Sequence, residues 1–449
     1  MESLLLFIVT APGFAFLALG LVWMLGWTPS ERIVARLTAL VYGAVVAASA
    51  WLSIDMIRSG HHTVEKSLGD WFVVGPYHFP LAIFVDRLSL PLVVLTSILI
   101  GIVGTFSVRY LHRERGFFRF FLLLHLFAFG SLLVFTAASF DLLLGGWELV
   151  GITSVLLIAF FNERPDPVRN AARVFATYRI ADLGLLLCLF VLRYLAGTTD
   201  DHRLFTGEWP VQTANLAPWG ATIAGLLLLI AAAGKSAQVP FSGWLPRAME
   251  GPTPSSAIFY GAISVHAGAY LLLRAEPIFL ESPVAAGAVV AVGFLTACLG
   301  TLSHRVSTDA KTSLAYAAMT QLAVVFMEIG LGFPRLALAH ICGHAVVRTL
   351  QFLRAPSMLH DYHRIHAASG GHLPKTGEHY HRLVPEGLRL WLYRLGLERG
   401  FYDAAAERFA VQPLLHLSRW FGMLESRVQS NGTPRKPEPA RTYEGEVRI

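Results

Sequence analysis

The sequence predicts an all-α polytopic membrane protein with about eleven transmembrane helices. Of its 449 residues, 54% are hydrophobic and only 15% are charged, whereas a soluble domain carries about 25% charged residues. The apolar residues also occur in long blocks, and about 20 such residues are needed to cross the hydrocarbon core of a bilayer. Eleven blocks are long enough, near residues 4–27, 33–54, 87–108, 117–138, 141–161, 171–195, 219–245, 254–274, 284–303, 312–332 and 335–355.

The distribution of basic residues predicts the topology of these helices. The first block lacks a basic n-region and a small-residue cleavage site, so we expect a retained helix and not a signal peptide. With the N-terminus outside, the loops on the inner face carry twelve Lys and Arg and the opposite loops carry seven. Because cytoplasmic loops are enriched in basic residues, we expect a bacterial inner-membrane protein with a periplasmic N-terminus and a cytoplasmic C-terminus. The net charge of +6 therefore indicates topology and not nucleic-acid binding.

Composition divides the chain into four regions. They are a transmembrane domain, a polar His-rich linker, amphipathic cytoplasmic or interfacial helices and a disordered tail, over residues 1–355, 356–383, 384–428 and 429–449. In the longest outer loop, 55–86, the segment Trp71–Asp86 predicts a short β-hairpin with its turn at Gly75-Pro76. In the linker, the histidine spacing matches no common helical pair of metal ligands. A solvated loop or a partner contact is therefore favoured there over a metal site.

Several ionisable residues lie inside the predicted transmembrane helices, where a charge costs several kcal/mol on most scales and commonly serves a function. They are Glu148 in the fifth helix, Arg179 and Asp182 in the sixth, Lys235 in the seventh, His266 in the eighth, Lys311 in the tenth, and His340, His344 and Arg348 in the eleventh. The sixth-helix pair has i, i+3 spacing and so shares one face. The last three residues form a stripe about 12 Å long at about 1.5 Å per residue.

Lys235 lies beside a predicted break in the seventh helix. Pro240 cannot donate a hydrogen bond to the carbonyl of Ser236, so the helix should end or kink there. Broken helices at membrane depth occur inside protein or around water-filled cavities, and they commonly form ion sites in transporters. Burial favours an uncharged lysine, whereas a nearby carboxylate favours the charged form. A movable separation between Glu148 and Lys235 would therefore load and release a proton.

Plainer interpretations of some of these residues stay open. Arg179 and Asp182 also fit a purely structural pair within one helix. His266 also fits a hydrogen-bonded core histidine. Glu328, near the end of the tenth helix, is expected to extend towards the membrane interface.

Six sequence stretches resemble the proton-conducting, antiporter-like membrane subunits, a family that includes subunit L of bacterial NADH:quinone oxidoreductase and the large Mrp antiporter subunits. The stretches are GWELVGITSVLLIAFFNER, RIADLGLLL, GKSAQVPFSGWLPRAMEGPTPSSA, HAGAYLLLR, DAKTSLAYAAMTQ and HICGHAVVRTLQFL. They occur in register over about residues 1–355. The resemblance implies an antiporter-like fold. It also implies that Glu148 and Lys235 are the paired proton-site residues, that Asp182 is the sixth-helix aspartate, and that His340 and His344 are the central-axis histidines.

The chain departs from this family pattern at three points. Tyr260 stands where the family usually has a histidine after PTPxSA, and a histidine appears nearby at His266. Arg348 replaces the family's central lysine, and arginine cannot relay a proton by losing one because it stays protonated. Where the family continues with a second broken helix that bears a lysine, this chain turns polar. The resemblance therefore implies a truncated second repeat.

A shortened subunit-L relative with a basic cytoplasmic segment looks like the membrane subunits (DabB) of DAB inorganic-carbon accumulation complexes. That resemblance implies a large cytosolic zinc-binding partner similar to a β-carbonic anhydrase (DabA-like), with proton entry driving the conversion of carbon dioxide to bicarbonate. The sequence has no Gly-rich nucleotide fingerprint, no iron–sulfur cysteines and no zinc signature. We therefore expect no cofactor, metal or catalytic centre in this chain, and the resemblance implies zinc in the partner. The alternatives are a subunit of a complex I or hydrogenase-type assembly, a Mrp-type cation/proton antiporter module, and a non-conducting anchor.

Overall fold

The computed structural model describes residues 1–27, 29–75, 77–355 and 384–401 and a few single positions between 408 and 423. The His-rich linker, most of the predicted amphipathic region after residue 401 and the predicted disordered tail lie outside the described residues. Residues Met1–Leu397 form one compact unit, and Glu398–Ile449 form a second. The candidate residues all lie in the first unit.

Helices form most of this unit, and eleven segments of the described chain are long and apolar enough to cross a membrane. The first six are α1 (Glu2–Met24), α2 (Glu31–Ser59), α3 (Ser89–Tyr110), α4 (Phe117–Thr136), α5 (Phe140–Ile158) and α6 (Pro165–Ala196). After the short helix α7 (Asp201–Leu204), the seventh span is α8 (Pro218–Lys235). The remaining helices are α9 (Trp244–Arg247), α10 (Thr253–Ser256), α11 (Ser264–Arg274), α12 (Glu276–Leu280), α13 (Pro283–Val306), α14 (Ala310–Gly330), α15 (Pro334–Arg354) and α16 (Glu386–Leu397).

The observed spans confirm the predicted all-α membrane fold. Most helix ends lie within a few residues of the apolar blocks, but α6 begins at Pro165, six residues before the predicted start at 171. Proline suits the first turn of a helix because its missing N–H has no partner there in any case. The polar first turns of α6 therefore belong to the helix, although hydropathy alone leaves them out.

Two small hairpins lie between the membrane spans. Strands β1 (Val64–Val74) and β2 (Tyr77–Val85) pair antiparallel, with Val74 opposite Tyr77. The predicted hairpin and its turn are confirmed, and the first strand begins seven residues earlier than predicted. A second hairpin of two-residue strands, β3 (Phe205–Thr206) and β4 (Thr213–Ala214), has no sequence prediction.

The eighth span, Thr253–Arg274, lies at the centre of the unit and is buried over its whole length. It contacts α3, α4, α5, α8, α14 and α15. Between α10 and α11 it contains a π-helical segment, Ala257–Ala262, in which Ile263 N–H donates to Ile258 O at 2.9 Å. Such wide turns often occur at functional sites, and this one precedes His266 in the middle of the molecule.

The predicted break beside Lys235 is present. Helix α8 ends at Lys235, and the next helical turn begins at Trp244. The freed backbone groups find partners inside the protein: Trp244 Nε1 donates to Gly234 O at 2.8 Å, and Val239 N–H donates to Thr296 Oγ1 at 2.9 Å. A buried break with satisfied backbone groups meets the requirement for non-helical chain at membrane depth.

Candidate functional site

Lys235 is almost completely enclosed, with 1% of its surface exposed. Its Nζ donates to the carbonyl oxygen of Trp147 at 3.1 Å. The ammonium also lies 4.7 Å from the centroid of the Trp147 ring and 4.6 Å from that of Tyr178. Aromatic faces attract cations, so a carbonyl and two rings partly replace the lost water. Among the described residues, no carboxylate oxygen lies within 4.0 Å of this nitrogen.

The two nearby carboxylates are bound by Arg179 and not by Lys235. Arg179 Nη2 contacts Glu148 Oε2 directly and reaches Asp182 Oδ2 at 2.9 Å. Trp147 Nε1 donates to the other oxygen of Asp182 at 2.6 Å. The predicted i, i+3 pair is therefore present, but it belongs to a network across α5 and α6 and not to one helix alone. We call Trp147, Glu148, Arg179, Asp182 and Lys235 the Lys235 site.

Lys235 and Arg179 approach the same position on α5. A Cβ atom at Gly151 would lie 3.2 Å from Lys235 Nζ and 3.7 Å from Arg179 Nη2. Glycine at this position therefore allows two cations to come close to one helix. A lateral cavity of about 460 Å³, lined by Glu148, Arg179 and Asp182 and by leucines and an isoleucine of α5 and α6, opens beside them. Glu148 and Arg179 side chains are 31% and 36% exposed, so this pair reaches the surface of the unit while Lys235 does not.

A chain of hydrogen bonds, which we call the histidine chain, joins His266, His344 and Arg348 at the centre. His266 Nε2 lies 2.8 Å from His344 Nδ1, and Arg348 Nε donates to His344 Nε2 at 3.2 Å. The other ring nitrogen of His266 lies 2.6 Å from Ala262 O. His266 is therefore hydrogen-bonded and buried, as the plainer interpretation holds, and it is also a direct neighbour of His344.

Arg348 determines which atoms donate and which accept in the histidine chain. A guanidinium has donors and no acceptor, whereas a neutral imidazole has one of each. Since Arg348 must donate to His344 Nε2, a neutral His344 carries its proton on Nδ1 and donates to His266 Nε2. His266 then carries its proton on Nδ1 and donates to Ala262 O. Arg348 thus sets the tautomer of two histidines.

His340 lies beside this chain and binds a carboxylate. Its Nδ1 is 2.9 Å from Glu328 Oε1, its Nε2 is 3.2 Å from Gln321 Oε1, and its ring centroid is 6.3 Å from that of His344. The expectation for Glu328 is wrong, because its side chain is 14% exposed and contacts His340. Hydropathy cannot reveal this contact, since the tight turn between α14 and α15 brings the two residues together.

Lys311 has a different setting. Its Nζ donates to the carbonyl oxygens of Met249 at 2.7 Å and Gly251 at 2.8 Å, where the chain turns before the eighth span. Within the described residues it contacts neither the Lys235 site nor the histidine chain. The structure therefore joins Glu148, Arg179, Asp182 and Lys235 in one group and His266, His340, His344 and Arg348 in another, and it leaves Lys311 apart.

Sequence reasoning missed a third charged cluster, which we call the Arg274 site. Arg274, at the end of α11, makes two hydrogen bonds to Asp86, at 2.7 and 3.0 Å. Its guanidinium also lies 3.2 Å from the hydroxyl of Tyr270 and 3.9 Å from Asp201 Oδ2. A signal was present in the sequence, because His266, Tyr270 and Arg274 follow at i, i+4, i+8 and so share one helix face.

The two carboxylates of the Arg274 site differ in how they are held. Burial acts to raise the pKa of Asp86, but the charge and hydrogen bonds of Arg274, with further bonds from Ser89, hold that pKa below its usual value. Burial raises the pKa of Asp201 to about 6 in spite of Arg274, and neither Asp201 carboxylate oxygen has a hydrogen-bond donor among the described residues. Asp86 is therefore tightly paired, whereas Asp201 gains little from the same arginine.

Metal ligands do not converge in the described part of the chain, where no group of three or more His, Cys, Asp or Glu residues could hold an ion. The three cysteines, Cys188, Cys298 and Cys342, are free thiols. The His-rich linker lies outside these residues.

Comparison with known families gives two matches. Residues 137–370 match the family described as NADH:quinone oxidoreductase/Mrp antiporter, transmembrane. Residues 71–121 match the N-terminus of chain 5 of NADH-ubiquinone oxidoreductase (complex I). The first match covers the Lys235 site, the histidine chain and Arg274.

Individual relatives agree with these matches. NADH-ubiquinone oxidoreductase chain 5 of Allomyces macrogynus is 33% identical over 357 residues, which is 79% of this chain and 54% of that protein. The chloroplastic NAD(P)H-quinone oxidoreductase subunit 5 of Citrus sinensis is 34% identical over 340 residues, which is 75% of this chain and 45% of that protein. The chain thus spans about half the length of the curated relatives it matches.

Solved structures show the same fold. A chain of the Mrp complex from Dietzia sp. DQ12-45-1b superposes with a TM-score of 0.66 and 27% identity, over 78% of this chain and 37% of that one. A chain of the membrane-bound sulfane sulfur reductase, an archaeal respiratory membrane complex, also gives 0.66, over 78% of this chain and 70% of that one, and at 15% identity it supports the fold alone. The antiporter-like fold is confirmed, and the chain belongs to the NADH:quinone oxidoreductase/Mrp antiporter transmembrane family.

Proposed function

We propose that this chain is a proton-conducting, antiporter-like subunit of a multisubunit membrane complex of the complex I, hydrogenase or Mrp type. One observation carries the proposal: a lysine is buried at the end of a broken helix, while both nearby carboxylates are bound by a neighbouring arginine. A buried ammonium is expensive unless an anion is near. Its charge state therefore depends on which cation the carboxylates bind.

Arg179 would control the charge state of Lys235 by competing with it for Glu148. While Glu148 binds Arg179, Lys235 has only a carbonyl and two aromatic rings as partners, which favours release of its proton. If Glu148 turns away from Arg179 towards Lys235, the carboxylate favours the protonated lysine. The exposure of Glu148 and Arg179 beside a lateral cavity supports such movement, because these side chains are not packed on all sides.

Tyr178 and Ser264 supply a route from Lys235 to the histidine chain in this proposal. Tyr178 lies over the ammonium, and Ser264 precedes His266 by two residues on α11. Both hydroxyl oxygens are buried, and the Tyr178 hydroxyl interacts with those of Ser264 and Ser154. A hydroxyl group both donates and accepts a hydrogen bond, so this pair would carry a proton from Lys235 towards His266.

The test measures proton flux in proteoliposomes that contain the complex purified through a tag on this chain. Glu148→Gln keeps the shape of the side chain but removes the charge that moves between the two cations. We expect flux to fall to the level of empty vesicles. The matched control is Glu163→Gln, which changes an exposed carboxylate in the loop between α5 and α6 and should conduct normally. Normal flux through the Glu148 variant would refute the proposal.

A second candidate function is the coupling of proton entry to a cytosolic, zinc-binding, carbonic-anhydrase-like partner. It rests on the change to a polar, basic chain after residue 355, and no relative named above supports it. The subunits that purify with the tagged chain distinguish the candidates. Quinone-module or Mrp subunits would favour the first, and a large zinc protein together with proton-dependent bicarbonate uptake would favour the second. The bacterial inner membrane and the proposed orientation are tested in the same cells by labelling cysteines introduced at each terminus.

A further inference from the structure

A groove on the lateral surface between α2 and α3 combines apolar walls with two arginines. Its volume is about 800 Å³. The walls include Ile98 and Ile102, which are 39% and 43% exposed. Arg36 and Arg109 line the same groove, and neither guanidinium forms an ion pair or hydrogen bond with another described residue. None of the residues that line the groove is among those assigned to proton transfer.

The length of the groove matches one leaflet of a bilayer. Its lining runs from Ala35 to Val46 on α2 and from Ile98 to Arg109 on α3, eleven residue steps on each helix. At about 1.5 Å per step this is about 16 Å, close to half of a hydrocarbon core about 30 Å thick. Arg36 and Arg109 both lie towards one end, where α2 begins and α3 ends. The groove thus has an apolar body at membrane depth and a cationic end.

The polar groups in the floor of the groove are already satisfied within the protein. Thr38 Oγ1 and the Tyr42 hydroxyl each lie 3.2 Å from a ring nitrogen of the buried His125, and Thr105 Oγ1 donates to Gly101 O at 2.9 Å. The walls therefore offer no unpaired hydrogen-bonding group to an occupant. The arginines supply the free donors.

From this arrangement we infer that the groove binds an anionic glycerophospholipid, with an acyl chain along α2 and α3 and the headgroup phosphate on Arg36 and Arg109. Guanidinium groups bind phosphate oxygens in a bidentate manner. Basic pockets between transmembrane helices on the cytoplasmic side bind anionic headgroups, and this end of the groove lies on the side that carries most of the loop Lys and Arg. Charge complementarity and one-leaflet length favour a lipid over a helix of a partner subunit, which would need a groove across both leaflets.

The groove can be filled without disturbing the fold. A Cβ atom at Gly43 would meet nothing within 4 Å, although Gly43 lines the groove. Gly43→Leu therefore places a side chain where the acyl chain would lie. Gly287 on α13 is equally open and lies outside the groove, so Gly287→Leu is the matched control. Arg58, in the last turn of α2, provides the control for charge at the opposite face of the membrane.

The experiment is native mass spectrometry of the full-length chain, in its purified complex, from micelles with equal amounts of phosphatidylglycerol and phosphatidylcholine. The wild type should retain one phosphatidylglycerol, with a preference over phosphatidylcholine of about 30-fold. Each basic residue near the surface contributes about 1 kcal/mol, and the two arginines together about 2 kcal/mol, which is about 30-fold at about 1.4 kcal/mol per tenfold change. Arg36→Gln with Arg109→Gln should remove the preference, and Gly43→Leu should remove retention. Arg58→Gln and Gly287→Leu should behave as the wild type.

Three results would overturn the inference. The wild type could retain both lipids equally. Gly43→Leu, at unchanged thermal stability, could retain phosphatidylglycerol as the wild type does. Gly43→Leu could also release a co-purifying subunit while lipid retention stays the same, which would make the groove a contact between proteins.

Discussion

The Arg274 site and the Lys235 site each place two carboxylates beside buried cations, but they pair the charges in different ways. In the Arg274 site, one guanidinium binds Asp86 through two hydrogen bonds and has 2% of its surface exposed. In the Lys235 site, both carboxylates bind Arg179, and the fully enclosed cation contacts a carbonyl oxygen and two aromatic rings. The Arg274 site therefore holds its charges in place. The Lys235 site leaves an ionisable lysine that no carboxylate of the described residues binds directly.

The chemistry of the two cations matches this difference. Arginine is planar, stays protonated and suits bidentate pairing, whereas a buried lysine changes its protonation state readily. At both sites, therefore, the type of cation suits the way in which its charge is paired. Arg274 joins α11 to the chain before α3 and to α7, and Lys235 lies where a helix ends inside the protein.

The largest expected difference between the two sites is in stability. Arg274→Met leaves Asp86 and Asp201 buried without a cation, and breaking a buried pair in this way costs about 3–5 kcal/mol. Lys235→Met removes a cation that no carboxylate binds directly, so we expect a neutral or slightly stabilising effect. Denaturation of the purified protein in mixed micelles measures both. A large loss of stability in the Lys235 variant would show that Lys235 is as firmly paired as Arg274.

Within the Arg274 site, Asp201 differs from Asp86 in its pKa, and this makes the stability of the protein depend on pH. Its pKa of about 6 lies above the ordinary value of 3.8, so between these pH values the folded protein keeps a proton that the unfolded chain has released. The contribution of Asp201 to stability is therefore full below about pH 4 and is lost as pH rises through about 6. Asp201→Asn cannot ionise and should be more stable than the wild type at pH 8, by at most about 3 kcal/mol at about 1.4 kcal/mol per pKa unit.

Thermal unfolding of the Asp201→Asn variant at pH 4.5 and pH 8 provides the check. The stabilisation should be full at pH 8 and about one third as large at pH 4.5, because pH 4.5 lies only a little above the ordinary pKa of 3.8. Equal effects at both pH values would show that the substitution acts through packing and not through ionisation.

Trp147 tests the network of the Lys235 site with a smaller change. Trp147→Phe keeps an aromatic face for Lys235 but removes the Nε1 donor to Asp182, at 2.6 Å in the wild type. Loss of one donor to a buried group costs about 1–3 kcal/mol. We expect lower stability and slower proton flux, and the double variant Trp147→Phe with Asp182→Asn should show less than the sum of the two single losses. Full additivity would separate Trp147 from the network.

The membrane spans and the break at Lys235 could be predicted from the sequence because they depend on local properties. Apolar length defines a span, and Pro240 removes a donor four residues after Ser236 whatever surrounds it. The i, i+3 relation of Arg179 and Asp182 is equally local. These features follow from residues close together in the chain.

The partners of the charges could not be predicted, because they come from different helices. Asp86 and Arg274 are separated by 188 positions in the sequence, and His266 and His344 by 78. Only the packing of the eighth span at the centre brings these residues together. The same reason explains why Glu148 was expected beside Lys235 although Arg179 binds it here.

The most direct test of the account compares Lys235→Arg with Lys235→Ala in the proteoliposome flux assay. Lys235→Arg retains the positive charge but cannot release its proton, and Lys235→Ala removes both charge and proton. If Lys235 conducts protons by changing its charge state, both variants should insert normally and conduct no more than empty vesicles. The control Lys66→Arg, at a half-buried position of β1 where the side chain pairs with Glu2, should conduct normally. Wild-type flux through Lys235→Arg would contradict the account, because a permanently charged side chain would then be sufficient.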